Sequence, residues 1–455
     1  MYTKLTIHGL RGFATEQTLN LAVAKDNIEG SGLTIVVGAN NSGKSTIWEA
    51  FRALSAQETS FTEGKRNNLA GDKVSISITN TNNQITKIET LSKGGSETQK
   101  TGAFHCFSLQ SRRSFNPFFG SSHEDRQAYV TWRMPLSGQR IANNDSFSHR
   151  IFEINRSEDN RNKFDQELFS VLGYHLNWTI EQSDQGKYYL KIIFDTYSHN
   201  SDGVGEGLLS VFTIVDSLYD STPGSLTVID EPELSLHPAL QRRLLKFLLK
   251  YSKDRQIVIF THSPFFIDWN ILARGAEFAR TVKEYDGSKI YQLSDEGKTA
   301  IQKLIPDTHN LRTLGLEATE AFFLDDNIIL TEGQEDVFYY KKYFDRVAPD
   351  VAINFFGWGV GGANKMEFMT RIFYDLGYKK IIGILDSDKK DVVEQLTRSF
   401  PKYKFINIPA KDVRDKDEIL HKEAVQGLFN RSGRLNPEYE AEVPLLIQEI
   451  REYIS

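Results

Sequence analysis

Residues 38–46 read Gly-Ala-Asn-Asn-Ser-Gly-Lys-Ser-Thr and directly follow the apolar run Leu-Thr-Ile-Val-Val at residues 33–37. This is the pattern G-x-x-x-x-G-K-[ST], in which a buried strand leads into a tight glycine loop that opens a helix. Backbone N–H groups of such a loop surround an anion, and the helix N-terminus adds positive potential. The sequence therefore predicts a phosphate loop, whose nucleotide-binding residues are Gly38, Asn40, Asn41, Gly43, Lys44, Ser45 and Thr46.

Two side chains of this loop are expected to have distinct roles. Lys44 should reach the β- and γ-phosphates, and the hydroxyl of Ser45 should ligate Mg²⁺. The predicted cofactors of this part of the chain are therefore ATP and Mg²⁺.

Composition places the chain among ordinary globular proteins. Its 455 residues are too many for one core, so two or three domains are expected. The net charge of −6 argues against a uniformly basic nucleic-acid binder but leaves room for a local basic groove. Cys106 is the only cysteine, which excludes an internal disulfide and favours a reducing, cytoplasmic location. No apolar run is long enough to span a membrane, so no membrane partner is expected.

Further along the chain, three apolar runs end in polar residues suited to nucleotide chemistry. Gln110 follows the strand-like residues 104–109. The run at 225–229 ends in Asp230 and Glu231, of which Asp230 should hold Mg²⁺ and Glu231 should polarise the attacking water. His262 follows the run at 256–260, and Gly205 lies in a glycine-rich loop before a predicted helix.

In this order the motifs resemble those of ATP-binding-cassette ATPases related to chromosome-maintenance and DNA-repair proteins. The resemblance implies that Gln110 senses nucleotide and Mg²⁺, and that His262 is the γ-phosphate switch. It also implies that the Gly205 loop covers the γ-phosphate held by a second subunit, although the usual Leu-Ser-Gly-Gly-Gln wording is absent. The alternatives are a surface glutamine and a plain turn. Because cassette sites are completed when two heads meet, a homodimer or higher homo-oligomer is implied.

Carboxylates mark a second predicted site. Glu332 follows the apolar residues 328–330, Gly333 is expected to permit a sharp turn, and Asp336 should lie in the first turn of the next helix. Asp386 and Asp388 follow another apolar run. Because residues i and i+2 of a strand point the same way, both should share a cation with Glu332. Oxygen ligands without thiols favour Mg²⁺ or Mn²⁺.

A charged segment at 411–417 supplies further candidates. Lys416 is favoured over Lys411 as the cation that balances transition-state charge, and Asp412 and Asp415 are candidate metal ligands. A solvated surface is the alternative interpretation.

The Glu-Gly strand end followed by Asp-x-Asp resembles the Toprim domain of topoisomerases, primases and certain nucleases. A cassette ATPase followed by a Toprim domain resembles the OLD (overcoming lysogenisation defect) family. The resemblance implies an α/β fold, with an ABC-type P-loop head at residues 1–318 and a Toprim domain at 319–455. Residues 116–175 are expected to form a helical insertion that could serve as a dimerisation arm.

By this resemblance, the function would be that of a nucleotide-regulated, metal-dependent endonuclease that nicks or cleaves DNA in bacterial anti-phage defence. A defence-system protein or nucleic acid could be a further partner. The alternatives are a Toprim ribonuclease acting on transfer RNA and a non-nucleolytic, ATP-driven DNA clamp. A topoisomerase is disfavoured, because none of the 18 tyrosines has a recognisable nucleophile context.

Overall fold

A computed structural model describes most of the chain. The described residues are 1–25, 27–56, 59–111, 147–200, 203–219, 221–305, 314–324, 326–351, 353–417 and 423–454. Within these ranges, every helix is too short or too polar to cross a membrane.

The chain divides into two compact units. The first unit comprises Met1–Ile267 and Arg274–Gln292, and the second comprises Asp268–Ala273 and Leu293–Ser455. Residues 293–318, which the sequence analysis assigns to the first domain, thus group with the second unit. The reason is that the helix Asp295–Leu304 packs closely against the helix Ala363–Asp375. A Cβ atom on Gly297 would lie 2.2 Å from the Asp375 carboxylate.

The first unit contains three sheets and five helices in its described part. The strands are β1 (Tyr2–His8), β2 (Gln17–Asn20), β3 (Leu33–Gly38), β4 (Ser75–Asn80), β5 (Ile85–Thr90), β6 (Thr98–Thr101), β7 (Phe107–Leu109), β8 (Asn177–Gln182), β9 (Tyr188–Ile193), β10 (Ser198–Asn200), β11 (Leu226–Asp230), β12 (Gln256–Phe260), β13 (Glu277–Glu284) and β14 (Gly287–Gln292). The helices are α1 (Lys44–Ser55), α2 (Phe147–Asn155), α3 (Glu158–Leu172), α4 (Glu206–Tyr219) and α5 (Pro238–Tyr251).

The predicted helical insertion is described only in part. Residues 116–146 lie outside the described residues, and the remainder contains α2 and α3. Its role as a dimerisation arm stays a prediction.

A six-stranded sheet positions the phosphate loop. Its order is β14-β13-β3-β12-β11-β7, and all neighbours pair in parallel except β13 with β14. Val258 of β12 lies opposite both Thr34 of β3 and Val228 of β11. Because the carboxyl ends of parallel strands meet at one edge, the segments after β3, β11 and β12 are brought together.

Helix α1 packs between this sheet and an antiparallel sheet of order β2-β1-β4-β5-β6. Phe51 and Leu54 of α1 are fully buried in one apolar core with Ile76 of β4 and Val258 of β12. Burial of a side chain of this size contributes about 1.5–3 kcal/mol, so this core holds the helix that opens at Lys44. The remaining sheet, β10-β9-β8, is antiparallel.

The second unit is built on a parallel sheet of order β16-β15-β17-β18. Its strands are β15 (Ile328–Thr331), β16 (Asn354–Phe355), β17 (Ile381–Leu385) and β18 (Lys404–Asn407). Its helices are α6 (Trp269–Ala273), α7 (Asp295–Leu304), α8 (Leu316–Glu320), α9 (Gln334–Val347), α10 (Ala363–Asp375), α11 (Lys390–Ser399) and α12 (Val443–Ile454). Ile447 and Ile450 of α12 pack in the core with Ile382 of β17, so α12 covers the sheet with its apolar face.

The burial of Cys106 in the core of the first unit predicts that its thiol reacts slowly. Cys106 is 5% exposed, its Sγ lies 3.9 Å from the carbonyl oxygen of Phe51, and burial raises the pKa of its thiol to about 12. Because the thiolate is the reactive form, native protein at pH 8 should resist thiol labelling and should react fully in urea. Mass spectrometry after alkylation measures this. A Ser92→Cys variant, whose new thiol is exposed, is the positive control; rapid labelling of native Cys106 would contradict this burial.

Candidate nucleotide and carboxylate sites

A cavity of about 440 Å³ lies at the carboxyl edge of the six-stranded sheet. It brings together eight residues that the sequence predicts for nucleotide binding or hydrolysis. They are Asn40, Asn41, Gly43, Lys44, Ser45, Thr46, Glu231 and His262. The motifs that are separated in sequence therefore share one space.

Close backbone approach explains the first glycine of the loop. Gly38 has φ +153°, and a Cβ atom there would lie 2.3 Å from Oγ1 of Thr281 and 2.7 Å from Oγ of Ser42. The two hydroxyl oxygens are 2.6 Å apart. Thr281 lies on β13, directly opposite Gly38. The phosphate loop is thus hydrogen-bonded to β13. No sequence motif indicates that β13 contacts the loop.

Lys44 turns toward its own loop. Its Nζ donates hydrogen bonds to the carbonyl oxygens of Gly38, at 2.7 Å, and Ala39, at 3.0 Å. Burial lowers the pKa of Lys44 to about 8, against the opposing charges of Asp230 and Glu231. An anionic phosphate in the cavity would favour the charged amine.

The acidic pair lies where β11 ends. Asp230 is buried and is the last residue of the strand, opposite Phe260 of β12. The backbone N–H of Glu231 donates to the carbonyl oxygen of Phe260 at 2.8 Å. Glu231 has φ +47°, which is uncommon for a residue with a side chain and is frequent at functional sites.

Glu233 connects this acidic segment to the predicted switch histidine. Its carboxylate accepts the backbone N–H of His262 at 2.6 Å and the hydroxyl of Thr261 at 2.8 Å. Burial, together with the positive charge of Lys44, lowers the pKa of His262. The imidazole is therefore held mainly neutral near pH 7. No sequence pattern indicates this contact of Glu233, because it depends on the pairing of β11 with β12.

Gln110 and Gly205 are not among the residues that line the cavity. Gln110 follows β7 at the outer edge of the sheet. Gly205 precedes α4, and a Cβ atom there would meet no atom within 4 Å. The next residue, Glu206, accepts a hydrogen bond from the hydroxyl of Ser235 at 3.2 Å. The roles of Gln110 and Gly205 stay predictions.

Five further residues line the cavity without having been predicted: Arg11, Gly12, Lys283, Gly287 and Ser288. Arg11 forms an ion pair with Glu49 of α1 at 2.8 Å, and Lys65 forms another with the same carboxylate at 2.8 Å. Arg11 and Lys283 add positive charge around a cavity that already contains Lys44, which suits a polyphosphate. They come from an N-terminal turn and the β13–β14 hairpin, neither of which has a motif.

The second unit brings Glu332 and Asp386 together at the carboxyl edge of its parallel sheet. They follow the adjacent strands β15 and β17, in which Thr331 lies opposite Ile384. The backbone N–H of Asp386 donates to Oε1 of Glu332 at 3.2 Å. The backbone N–H of Ala363, at the start of α10, also donates to the Glu332 carboxylate.

Asp336 and Asp412 complete an acidic cluster with this pair. Burial, followed by the charges of the neighbouring carboxylates, raises the pKa of Asp336 to about 7 and that of Asp386 to about 8. Burial also raises the pKa of Glu332. Asp336 additionally accepts the backbone N–H of Gly333 at 2.8 Å, so it caps α9.

Asp388 does not follow the expected strand geometry. Strand β17 ends at Leu385, and Ser387–Lys389 form a 3-10 turn, so the i, i+2 rule for strands does not apply here. The Asp388 carboxylate is exposed and forms an ion pair with Lys389 at 2.8 Å. Its place as a metal ligand stays a prediction.

Residues of the charged segment at 411–417 make two kinds of contact. Lys416 and Asp412 pair with each other, whereas Asp415 bonds to a neighbouring loop. Lys416 bonds to the carboxylate of Asp412, and its Nζ lies 3.9 Å from Glu335. Burial acts to lower the pKa of Lys416, but the bond to Asp412 and the carboxylate charges outweigh it and raise the pKa. Asp415 instead accepts the backbone N–H of Gly427 at 3.0 Å and the amide of Asn436 at 2.8 Å. It therefore holds a loop, and its place as a metal ligand stays a prediction.

Sequence analysis missed three supporting residues. Tyr340 is buried, and burial together with the charges of Asp336 and Asp386 raises the pKa of its phenol well above the usual range. Glu335 and Arg414 form an ion pair at 2.6 Å on the Lys416 side of the cluster. Tyr340 lies four residues after Asp336 on α9, so its helical spacing was the one available signal.

The donor set suits a hard divalent cation. Its ligand atoms are carboxylate oxygens, and their concentrated negative charge is what Mg²⁺ or Mn²⁺ would neutralise. Across the described ranges, however, no three His, Cys, Asp or Glu side chains converge closely enough to hold a metal. Cation binding would therefore draw these carboxylates closer together.

Comparisons with known proteins agree with a P-loop ATPase. Residues 103–268 match the family described as "AAA domain, putative AbiEii toxin, Type IV TA system". This match contains Asp230, Glu231 and His262 but not the phosphate loop.

One curated relative is described as Endonuclease GajA, from Bacillus cereus strain VD045. It is 25% identical over 241 residues, which cover 50% of this chain and 39% of that protein. The matched region thus spans about two fifths of the length of the relative.

Solved Smc head domains are also similar. One from Thermotoga maritima covers 64% of this chain and 99% of its own, at 14% identity and a TM-score of 0.37. Another, derived from Pyrococcus furiosus, covers 67% and 99%, at 14% identity and a TM-score of 0.45. These TM-scores are too low to support an argument about the fold. The description of the first unit therefore rests on its own strand order and phosphate loop.

Gly359 makes a prediction about the turn after β15. It has φ +86°, and a Cβ atom there would lie 2.7 Å from Cα of Gly333. Gly333 itself is extended, with φ −150°, and its own Cβ would meet no atom within 4 Å. The steric requirement for glycine therefore lies at Gly359, not in a sharp turn at Gly333. Gly359→Ala should reduce the free energy of unfolding by roughly 1–3 kcal/mol, and Gly333→Ala should change it little. Urea denaturation measures both; equal losses would contradict this packing.

The raised pKa of Asp386 predicts how the stability of the protein depends on pH. A carboxyl whose pKa is raised by folding contributes stability below its ordinary pKa of 3.8, and that contribution is lost as the pH rises toward 8. In metal-free protein, Asp386→Asn should therefore raise the melting temperature most at pH 8, by about 2–4 °C per kcal/mol gained, and by less at pH 5, where only part of the contribution has been lost. Calorimetry in EDTA measures this. The exposed Asp391→Asn is the matched control, and a decrease at pH 8 would contradict the predicted repulsion.

Proposed function

We propose that this protein is a nucleotide-regulated, metal-dependent endonuclease that cuts DNA and serves in bacterial anti-phage defence. The observation that carries the proposal is the half-buried acidic cluster at the sheet edge of the second unit, in a chain that also has a phosphate-loop cavity. Glu332 and Asp386 are held together by a hydrogen bond between residues 54 positions apart. Carboxyl groups gathered and half buried in this way have raised pKa values, which are frequent at functional sites.

In the first unit, Lys44 and Ser45 would bind the phosphates of ATP and its Mg²⁺, with Asp230 as a further Mg²⁺ ligand. Glu231 would polarise the attacking water. His262 lies on the same edge and would respond to the γ-phosphate. The roles of ATP are thus binding, hydrolysis and control of the nuclease.

We place the protein in a homodimer or higher homo-oligomer. The loop at Gly205 and the residues that follow Glu231 lie outside the cavity lining of their own chain, where a second copy could use them. The contact between Glu206 and Ser235 joins these two segments into one surface.

In the second unit, five carboxylates would hold Mg²⁺ or Mn²⁺: Glu332, Asp336, Asp386, Asp388 and Asp412. The bound ions would supply activation of water and stabilisation of the leaving oxygen during phosphodiester hydrolysis. Lys416, now paired with Asp412, would balance negative charge on the scissile phosphate. This arrangement is that of the Toprim domain proposed for residues 319–455, although the compact second unit begins earlier.

The similarity to a protein described as an endonuclease supports nucleic acid as the substrate, and DNA is the first choice. The matched family description includes the words "putative AbiEii toxin" and supports a role in defence, in which a partner protein or nucleic acid could supply the trigger. Two alternative functions would replace this proposal if DNA is not cut: cleavage of transfer RNA, and an ATP-driven DNA clamp without nuclease activity.

Cleavage of supercoiled plasmid tests the proposal. Purified protein should produce nicked or linear DNA with Mg²⁺ or Mn²⁺, and Asp386→Ala should abolish it because the cation loses a central ligand. Lys44→Ala should alter the response to ATP without removing the carboxylates. Gel electrophoresis with and without ATP measures both, and Asp391→Asn is the matched control.

Each other outcome has a definite meaning. Cutting that survives Asp386→Ala would show that the acidic cluster is not the nuclease centre. ATP hydrolysis without DNA cleavage would move the test to transfer RNA. Metal-independent DNA binding that responds to ATP, with neither nucleic acid cut, would favour the clamp.

A further inference from the structure

An exposed tryptophan lies on a loop whose backbone is hydrogen-bonded to the segment that bears Glu332. Trp358 is 44% exposed, whereas Phe356 and Val360, two residues away on either side, are 0% and 2% exposed. These two neighbours anchor the loop in the core. Trp358 therefore projects from an anchored loop and contributes little to the buried interior.

The backbone around Trp358 is fixed on both sides. Gly357 and Gly359 form an isolated β-bridge, and the N–H of Gly359 donates to the carbonyl oxygen of Phe356 at 3.0 Å. A Cβ atom on Gly357 would lie 3.4 Å from Ala318, so this side of the loop also packs closely. A fixed loop presents its aromatic ring at low conformational-entropy cost.

The same loop is bonded to the segment that bears Glu332. The N–H of Val360 donates to Thr331 at 2.9 Å, and those of Gly361 and Gly362 donate to the carbonyl oxygen of Glu332 at 2.9 and 2.8 Å. Gly359 lies against Gly333, as described above. Trp358 is thus one residue from a glycine that packs on Gly333, the neighbour of Glu332 in the chain.

We infer that Trp358 is a stacking platform for an unstacked nucleobase next to the phosphate that the acidic cluster engages. The inference rests on the proposed nuclease function and specifies its substrate class: nucleic acid that is single-stranded or locally unpaired at the cleavage point. An aromatic face binds any base by stacking, while the carboxylates and their cations engage the backbone. Trp358 would position the unpaired base. The carboxylates would carry out the hydrolysis.

Binding without cleavage tests this inference. The probes are fluorescently labelled oligothymidylate and oligouridylate of about 20 nucleotides, longer than a typical single-strand site, and a duplex of the same length. In EDTA or Ca²⁺, Trp358→Ala should weaken single-strand binding by about 5- to 150-fold, the equivalent of one lost stacked base. Trp358→Phe should retain most of the affinity. Comparison of the two probes shows whether DNA or RNA is preferred.

A matched control is Phe338→Ala. Phe338 is 56% exposed on α9 but lies two residues after Asp336, about 200° around the helix, so it should not affect binding. Melting temperatures of all variants check that the fold is retained.

Abasic substitutions give a readout that a merely structural role would not change. An oligonucleotide with abasic sites should bind wild-type protein more weakly than its parent, whereas Trp358→Ala should bind both equally. Unchanged affinity in Trp358→Ala, or the same abasic penalty in both proteins, would overturn the inference. Because no cleavage is measured, a Trp358-dependent interaction in a protein that cuts nothing would remove the nuclease proposal alone. Plasmid cleavage by a protein whose single-strand binding is indifferent to Trp358 would remove the stacking inference alone.

Discussion

Parallel pairing of buried strands is the constraint on which both sites depend. In the first unit, β3, β12 and β11 run in one direction, so the phosphate loop, His262 and Asp230 meet at one edge. In the second unit, the adjacent strands β15 and β17 place Glu332 beside Asp386. Parallel strands leave their connections free to carry functional residues, because the hydrogen-bonded strands themselves supply the rigid frame.

Contacts from distant segments hold each site in position. Thr281 fastens the phosphate loop, and its close approach explains why Gly38 has no side chain. Glu233 joins the segment after β11 to the backbone of His262. In the second unit, Gly359 packs on Gly333 in a comparable way. These neighbours perform no chemistry, yet each limits how far a functional residue can move, which is the condition for a preorganised site.

The two sites have opposite electrostatic character. Around the phosphate loop, Arg11, Lys44 and Lys283 line a cavity that suits a polyanion. In the second unit, carboxylates gather, and burial with mutual repulsion raises the pKa values of Asp336 and Asp386. Such a cluster favours a cation or a proton. The contrast supports the proposal that the two units take different ligands, a nucleotide in the first and divalent metal ions in the second.

The sequence by itself determined the phosphate loop, the acidic pair at Asp230 and the strand ends at Glu332 and Asp386. Each of these depends on a local pattern, an apolar strand followed by particular residues. The tertiary structure alone decided that Arg11 and Thr281 join the nucleotide site, because their neighbours are far away in sequence. It also decided where local rules fail. Strand β17 ends before Asp388, so strand periodicity does not apply there, and Asp415 accepts a hydrogen bond from Asn436 that no local pattern predicts. Local patterns specify strand ends, whereas packing specifies what surrounds them.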